Sequence, residues 1–600
     1  MPIPSLKRGV DMTGRDGAGV FGRRQLLRGA AAAGAVLAAG SVWNGARAQA
    51  RPVHGQLAPG RSVAVFGGGV SGLTAAHELC ERGYAVTVYE PTALGGKARS
   101  MSVPGTGAGG RADLPGEHGF RFFPGCYQHV PDTMARIPFP GNANGVAGNL
   151  IRVESTVAGF PDLPPVTVPT EVAGLTQLNP DRIRNSLVAG LGFVPQLPPS
   201  ELAFFGDRML MWFTTCDERR LGEWEYRSWM DAVRADGKSL AYREYLARAL
   251  TRITVAAKSE TSSARTIGTI GEALVFAGAG IGPYRGGVDR ILNGPTNEAW
   301  IDPWVAHLSG QGVRFVTGAG LTGLRVSGDR ITGANAGGRA VQADWYVCAM
   351  PADRAATILD DAVLTADPAL AGMRELVMDW MVGVQFYLRQ PTGVPEGHIA
   401  ALGSPWAITA LRQAPMWRGD FAARYGDGTV VECLSADVSD WDTPGILFGK
   451  PAKQCSKDEV VQEVWAQLKR WLNTGTGWLR DEDLRSWFVD PGVHFEEGGN
   501  RNDTPLLVNT VGSWDHRPEA RSAIGNLFVA GDHVRTGINL ATMESACEAG
   551  RKAANGILDA AGDNAPRASV FPMYAPAELE PLKRIDADRY RAGLPHLLDM

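Results

Sequence analysis

The stretch that most constrains this chain is residues 63–90, VAVFGGGVSGLTAAHELCERGYAVTVYE. Residues 63–66 form an apolar run suited to a buried parallel strand. Gly67, Gly69 and Gly72 follow at GxGxxG spacing, and Leu73, Ala76 and Leu79 then repeat with helical period until Gly83. Residues 85–89 read as a second strand closing on Glu90. Gly67 permits the tight turn, Gly69 lets a pyrophosphate approach the backbone, and Gly72 lets the helix pack on the strand. The first helical turn, with Val70 and Ser71, offers unpaired N–H groups to phosphates. Glu90 stands 18 residues past Gly72, where an acid can bond the hydroxyls of an adenosine ribose. Strand, helix, strand and acid in this order predict a dinucleotide-binding unit.

At 600 residues the chain exceeds a single hydrophobic core, so interleaved domains are expected. The first fifty residues carry seven Lys/Arg against two Asp/Glu, and the remainder carries 52 against 61, a balance of −9. No basic patch marks that remainder, which excludes nucleic acid as an expected partner. Residues 1–50 read as an address. Gly22-Arg23-Arg24-Gln25-Leu26-Leu27-Arg28 resembles a twin-arginine export motif, an Ala/Gly-rich run follows over 29–40, and small residues near 46–50 suit cleavage. The run is too short and too rich in Ala and Gly to span a membrane stably, so no transmembrane segment is expected in the mature chain. This predicts a periplasmic or extracytoplasmic protein. Export of a folded protein favours a cofactor loaded beforehand and tightly held, FAD rather than free NAD. The seven cysteines are scattered without a CxxC pair, and the ten histidines show no HxH or HExxH spacing, so neither a disulfide framework nor a metal is expected.

After Glu90 comes Leu94-Gly95-Gly96-Lys97, two glycines and a cation that can reach back to the pyrophosphate, and then Glu117-His118-Gly119-Phe120-Arg121-Phe122-Phe123-Pro124-Gly125-Cys126-Tyr127. Near the other end, 526–558 reads NLFVAGDHVRTGINLATMESACEAGRKAANGIL, with a strand into Gly531-Asp532 and a helix starting near Thr542. Together these segments resemble the phytoene-desaturase-like branch of the flavin amine oxidase superfamily. Glu117, Gly119, Phe123, Gly125 and Tyr127 fit the family's E-x-G-x-H-x-F-x-G-x-Y run, with Arg121 where His is commoner. Lys97 matches the desaturase form of the GG motif, and AGD followed by MES matches its flavin-closing segment. The resemblance covers residues 62–558. It implies an α/β fold: a Rossmann-like FAD-binding domain interleaved with an α+β substrate domain. It also implies FAD held by Gly67, Gly69, Val70, Ser71, Gly72, Glu90, Gly95, Gly96, Lys97, Gly531, Asp532 and Met543. Arg121 is the one candidate for catalysis. His533, next to Asp532, reads as a surface or packing residue.

The expected order is an address over 1–50, FAD-binding parts over 51–150, 286–360 and 501–560, substrate-domain parts over 151–285 and 361–500, and a tail over 561–600 with no pattern of its own. Phe204, Phe205, Met209, Met211, Trp212 and Phe213 form a dense apolar patch that reads as core sooner than as a pocket lining. A helix is expected near 300–308 and another over 458–472. Strands are expected over 380–388, 404–409 and 430–434.

The chemistry implied is hydride removal from a C–H of a hydrophobic isoprenoid or terpene, as in flavoproteins of the limonene dehydrogenase type. Proton loss from the resulting cation gives a double bond, and capture of water gives an allylic alcohol. A quinone, a redox protein or oxygen would take the electrons. Two alternatives stand beside it: an amine oxidase releasing hydrogen peroxide, although such enzymes commonly carry AGE where this chain has AGD, and a flavin-fold binding subunit partnered by a sister chain.

Overall fold

The computed structural model describes residues 60–171, 178–249, 251–252 and 257–599. The leader expected over 1–50 lies outside the described residues. Among those described, no helix is long and apolar enough to cross a membrane.

The chain moves between two sheets. It begins with β1 (Ser62–Phe66), α1 (Val70–Cys80) and β2 (Ala85–Glu90). It then crosses to a second sheet for β3 (Ser155–Phe160) and β4 (Leu163–Pro169). After a helical stretch, β5 (Asp289–Leu292) pairs with Leu150–Val153, and the chain returns to the first sheet for β6 (Arg314–Thr317) and β7 (Trp345–Cys348). A second excursion supplies β8 (Val382–Leu388), β9 (His398–Ala401), β10 (Thr409–Arg412), β11 (Glu432–Val438), α2 (Lys457–Leu472) and β12 (Leu484–Val489). It comes back once more for β13 (Leu527–Val529) and α3 (Met543–Ala560), and ends near α4 (Glu580–Arg591). The first sheet is parallel throughout, in the order β13-β7-β1-β2-β6. Parallel neighbours require long crossovers, which is why one sheet collects strands from distant parts of the sequence. This is an α/β fold of two interleaved domains, as expected.

The second sheet has seven strands in the order β12-β8-β11-β10-β9-β3-β4. Side chains alternate between its faces. One face, with Val157, Val384, Phe386, Ile399, Ala410, Leu434 and Ala436, packs on Val460, Val464 and Leu468 of α2. That helix starts with a capping box, Ser456 accepting from the Glu459 N–H while the Glu459 carboxylate accepts from the Ser456 N–H. The other face carries Thr156, His398, Thr409, Ser435, Asp437 and Gln385, which the strand registers place side by side.

Several local expectations shift. Residues 404–408 form a turn, with the Ser404 hydroxyl accepting from Ile408 N–H and Ala407 at φ 47°, so the strand begins only at Thr409. The strand expected over 430–434 is displaced to β11. The helix expected near 300 opens with a π-turn over Asn297–Ile301 before Asp302–Gly310. The terminal stretch is built in: Asp586 on α4 is buried and accepts from Cys216 N–H and Arg219 Nε, each at 2.9 Å.

The two ends of the nucleotide unit meet where α3 crosses α1. A Cβ on Gly550 would lie 2.5 Å from the Ser71 carbonyl oxygen. Replacing Gly550 with Val should therefore force the helices apart and cost roughly 1–3 kcal/mol, read as a lower denaturant midpoint with an unchanged m-value.

Candidate functional site: a nucleotide cradle opening onto a polar sheet face

The turn after β1 is fixed by sterics. Gly67 has φ +115°, and a Cβ there would lie 2.3 Å from the Ala349 oxygen on the neighbouring strand's continuation. A Cβ on Gly72 would fall 1.9 Å from the Gly67 oxygen, so the helix lies directly against the turn. Gly69 is different: a Cβ there would meet only the Gly96 Cα, at 3.7 Å. The Gly95 N–H donates to the Gly68 oxygen at 2.8 Å, which lays the second glycine loop on the first. The Glu90 carboxylate is held at the end of β2 by the Gly68 N–H at 2.8 Å and by the N–H and hydroxyl of Thr92, both at 3.0 Å. Lys97 Nζ donates to the Pro505 oxygen; burial lowers its pKa, and Asp532 and Asp353 oppose that shift.

The closing segment contributes a second helix start. The Thr542 hydroxyl accepts from Ser545 N–H at 3.1 Å and caps α3. Glu544, next in line, accepts from the N–H groups of Gln128 and His129 and from His129 Nδ1, all at 2.7 Å, and from Val130 N–H at 3.0 Å. Burial alone would raise its pKa, but these bonds lower it and pin the 117–130 segment to α3. Gly531 has φ +149°, and a Cβ there would lie 2.6 Å from the His533 ring. His533 is not at the surface: it is wholly buried, burial holds its pKa down to about 4, and neither ring nitrogen has a partner. A residue the sequence did not single out, Arg517, braces this loop by donating to the backbone oxygens of Asp532, His533 and Val534 at 2.6–3.0 Å.

Beyond the cradle, the 117–122 loop lies on the polar face of the second sheet. A Cβ on Gly119 would be 2.9 Å from Asp437 Oδ1, and one on Gly383 would be 2.8 Å from the His118 oxygen, so both positions need glycine for close approach. Phe120 and Phe122 flank the His398 ring at centroid distances of 4.9 and 5.5 Å. His398 Nδ1 donates to Asp289 Oδ2, and His118 Nδ1 donates to Asp490 Oδ2. Burial pushes Asp437 up to about 7 and Glu117 up to about 7, with the Arg121 cation opposing both shifts. Asp437 Oδ1, Arg121 Nε and Nη2, Thr409 Oγ1 and the Nε2 atoms of His398 and His118 are buried without a hydrogen-bond partner.

One cavity of about 1040 Å³ joins the two regions. Gly67, Gly69, Val70, Ser71, Glu90, Gly95, Gly96, Lys97, Gly531, Asp532 and Met543 line one part of it. Arg121 lines it too, together with Phe120, Phe122, Leu274, Val288, Asp289, His398, Thr409 and Asp437. Gly72 and His533 stand behind its wall. The volume is at the top of the usual ~300–1,000 Å³ range for small-molecule sites. The apolar patch of Phe205, Met209, Met211, Trp212 and Phe213 is interior packing and reaches no part of this lining. The cradle fits an FAD: two glycine surfaces free of side chains, an acid at the end of β2, an unpartnered buried Ser71 hydroxyl, and two helix starts with their N–H groups at the same cavity.

A family model described as flavin containing amine oxidoreductase matches residues 70–558. A search of curated proteins returns no match. Among solved structures, an oxidoreductase from Methanosarcina mazei superposes with a TM-score of 0.53 at 15% identity, covering 83% of this chain and 99% of that one. Cyclohexylamine oxidase from Brevibacterium oxydans gives 0.55 at 14% identity, covering 83% and 98%. A triple mutant of putrescine oxidase gives 0.57 at 14% identity, covering 83% and 99%. At these identities the structural likeness carries the fold, and the family match carries the cofactor class. The chain is an FAD-dependent oxidoreductase belonging to the flavin-containing amine oxidoreductase family.

Proposed function

We propose that this oxidoreductase removes a hydride from a C–H of a hydrophobic isoprenoid-type substrate, as members of the desaturase-like branch do. The GGK and AGD–MES motifs support that branch, and Phe120, Phe122, Leu274 and Val288 supply apolar surface for such a skeleton. FAD, when bound, accepts a hydride from carbon. In this reading Glu90 bonds the adenosine ribose, while Gly69, Val70, Ser71 and Gly96 receive the pyrophosphate. Lys97 and Asp532 flank the chain leading to the flavin ring, and α3 turns its positive end to the pyrimidine beside Met543. The export-type leader favours work outside the cytoplasm, with a quinone or redox protein as electron acceptor and, in a heteromer, a sister subunit.

The observation that carries the reading is Asp437, a cavity-lining carboxyl with an unpartnered oxygen and a pKa of about 7. As hydride leaves, the substrate carbon gains positive charge. A carboxylate already in place in a water-poor cavity lowers the energy of that charge without reorganising. Arg121 favours the ionised form of Asp437 and keeps it available near neutral pH.

A second reading, amine oxidation, has one observation in its favour: two carboxyls, Asp289 and Asp437, line the cavity and would hold an ammonium group. Anaerobic mixing of the holoprotein with monoterpenes and with primary amines separates the two. Flavin bleaching by terpenes supports the first reading; bleaching by amines alone, with peroxide formed when oxygen is readmitted, supports the second.

Three outcomes follow from the assigned roles. Glu90→Gln should weaken FAD binding about 10- to 100-fold, measured by titrating apoprotein with FAD. Since a raised carboxyl pKa means the charged form appears only as pH rises, turnover should climb through pH about 7. Asp437→Asn should lower kcat about 100-fold and flatten that climb in a steady-state pH profile.

A further inference from the structure

The second sheet turns an unusual set of side chains toward the substrate part of the cavity. Thr156 and His398 face each other across β3 and β9, Ala400 faces Thr409 across β9 and β10, and Thr409 faces Asp437 across β10 and β11. Four polar groups thus lie on neighbouring strands, and all four residues line the cavity. Arg121 lies over them from the 117–122 loop. Its Nε and Nη2, together with Thr409 Oγ1, Asp437 Oδ1 and His398 Nε2, are buried without partners. Buried polar atoms of this kind are rare, and each left unsatisfied costs free energy. A hydrocarbon pressed against this wall would leave every one of them unsatisfied. A hydroxyl group, both donor and acceptor, would not.

His398 is held in one orientation. Its Nδ1–H donates to Asp289, and its ring packs against Phe120 and Phe122. With the proton fixed on Nδ1, Nε2 keeps its lone pair and is an acceptor. A carboxylate bonded behind an imidazole stabilises the imidazolium that forms when Nε2 takes up a proton. A similar pair, His118–Asp490, stands on the same loop as Arg121, and there Arg121, Lys97 and Arg99 all act on it.

Resting on the reading that an isoprenoid-type skeleton fills this cavity, we propose that the substrate carries a hydroxyl on the carbon that loses hydride, and that the Asp289–His398 pair takes the proton of that hydroxyl. The step balances. The carbinol carbon gives its hydrogen with both electrons to FAD, the O–H proton passes to His398 Nε2, and the C–O single bond becomes C=O. FAD gains two electrons, which the quinone or redox protein then removes. The product is an aldehyde or ketone. Asp437, which feels both His398 and Arg121, supports the positive charge that builds on the carbinol carbon.

The test uses three matched probes: geraniol, geranyl methyl ether, which keeps the carbinol C–H but lacks the O–H, and the parent hydrocarbon. Binding to the holoprotein is measured by calorimetry, and flavin bleaching by anaerobic stopped flow. Geraniol should bind at least ~10-fold more tightly than either analogue and be the one probe that bleaches the flavin rapidly, giving the aldehyde. His398→Ala should retain its flavin, slow bleaching by about 100- to 10,000-fold, and recover with added imidazole; Asp289→Asn should slow it without imidazole rescue. Bleaching by the ether or the hydrocarbon as fast as by geraniol would overturn this inference while leaving the isoprenoid reading intact. Failure of imidazole to restore His398→Ala would overturn the role of the pair. No bleaching by any terpenoid would sink both this inference and the reading it rests on.

Discussion

Everything in the nucleotide half depends on how closely α1 and α3 approach. Their crossing leaves no room for a side chain at Gly550, whose Cα faces the Ser71 carbonyl. The same crossing carries a hydrogen bond from the Thr74 hydroxyl to Cys547 Sγ at 3.5 Å and an ion pair between Arg551 and Glu78 at 3.5 Å. Arg551 also reaches Asp132, so one charge network, buried at Arg551 and Glu78 and open to solvent at Asp132, ties together α1, α3 and the 129–135 helix. Because α1 begins at the glycine turn and α3 begins at Thr542, fixing their crossing fixes two helix starts at one cavity. The N–H groups of both starts have no partners within their helices, and their partial positive charge converges there.

The substrate half is governed by a different constraint, the alternation of side chains along strands. One face of the seven-stranded sheet is consumed by α2, and the opposite face is left with the polar residues of each strand. Buried together beneath the 117–122 loop, these groups act on one another at short range, where charge is screened much less than in water. Loss of hydration is what pushes the Asp437 and Glu117 carboxyls up to about 7, and the arginine beside them opposes that shift. The loop fits on the sheet only because Gly119 and Gly383 lack side chains. Gly119, one glycine of the E-x-G run, therefore matters to how the loop seats on the sheet.

The cradle was legible in the sequence because its demands are local. A turn with positive φ, a helix against a strand and an acid at a strand end each leave a mark within 28 residues. The closing segment was legible for the same reason, although the work of its Glu544, tying α3 to 128–130, leaves no local mark. The polar cluster was not legible. Asp289 and His398 lie 109 positions apart, and Asp437 sits in ECLSADV, where two polar residues at alternate positions read as an ordinary half-exposed strand. The registers of β9, β10 and β11 bring His398, Thr409 and Asp437 to one wall, and Asp289 meets His398 from β5. Arg121 was visible as a departure from a motif, but its partners were not. The aromatic patch near 204–213 pointed to the interior, as its residue types suggest, while the rings that face the cavity come from the short FRFF run. Of the two roles open to His533, the structure gives it packing: the ring is buried behind the cavity wall, a direction that proximity to a motif does not reveal.

The order in which the polypeptide is made has a consequence for cofactor capture. β13 joins the edge of the parallel sheet and α3 closes the cradle, and both belong to the last eighth of the chain. While translation is under way, the nascent glycine turn and α1 lack the helix that crosses α1 and the loop that faces Lys97. The cradle is thus complete only once the last eighth of the chain has been made. A truncated product, released early from the ribosome, would lack the side of the pocket that Gly531, Asp532 and Met543 supply.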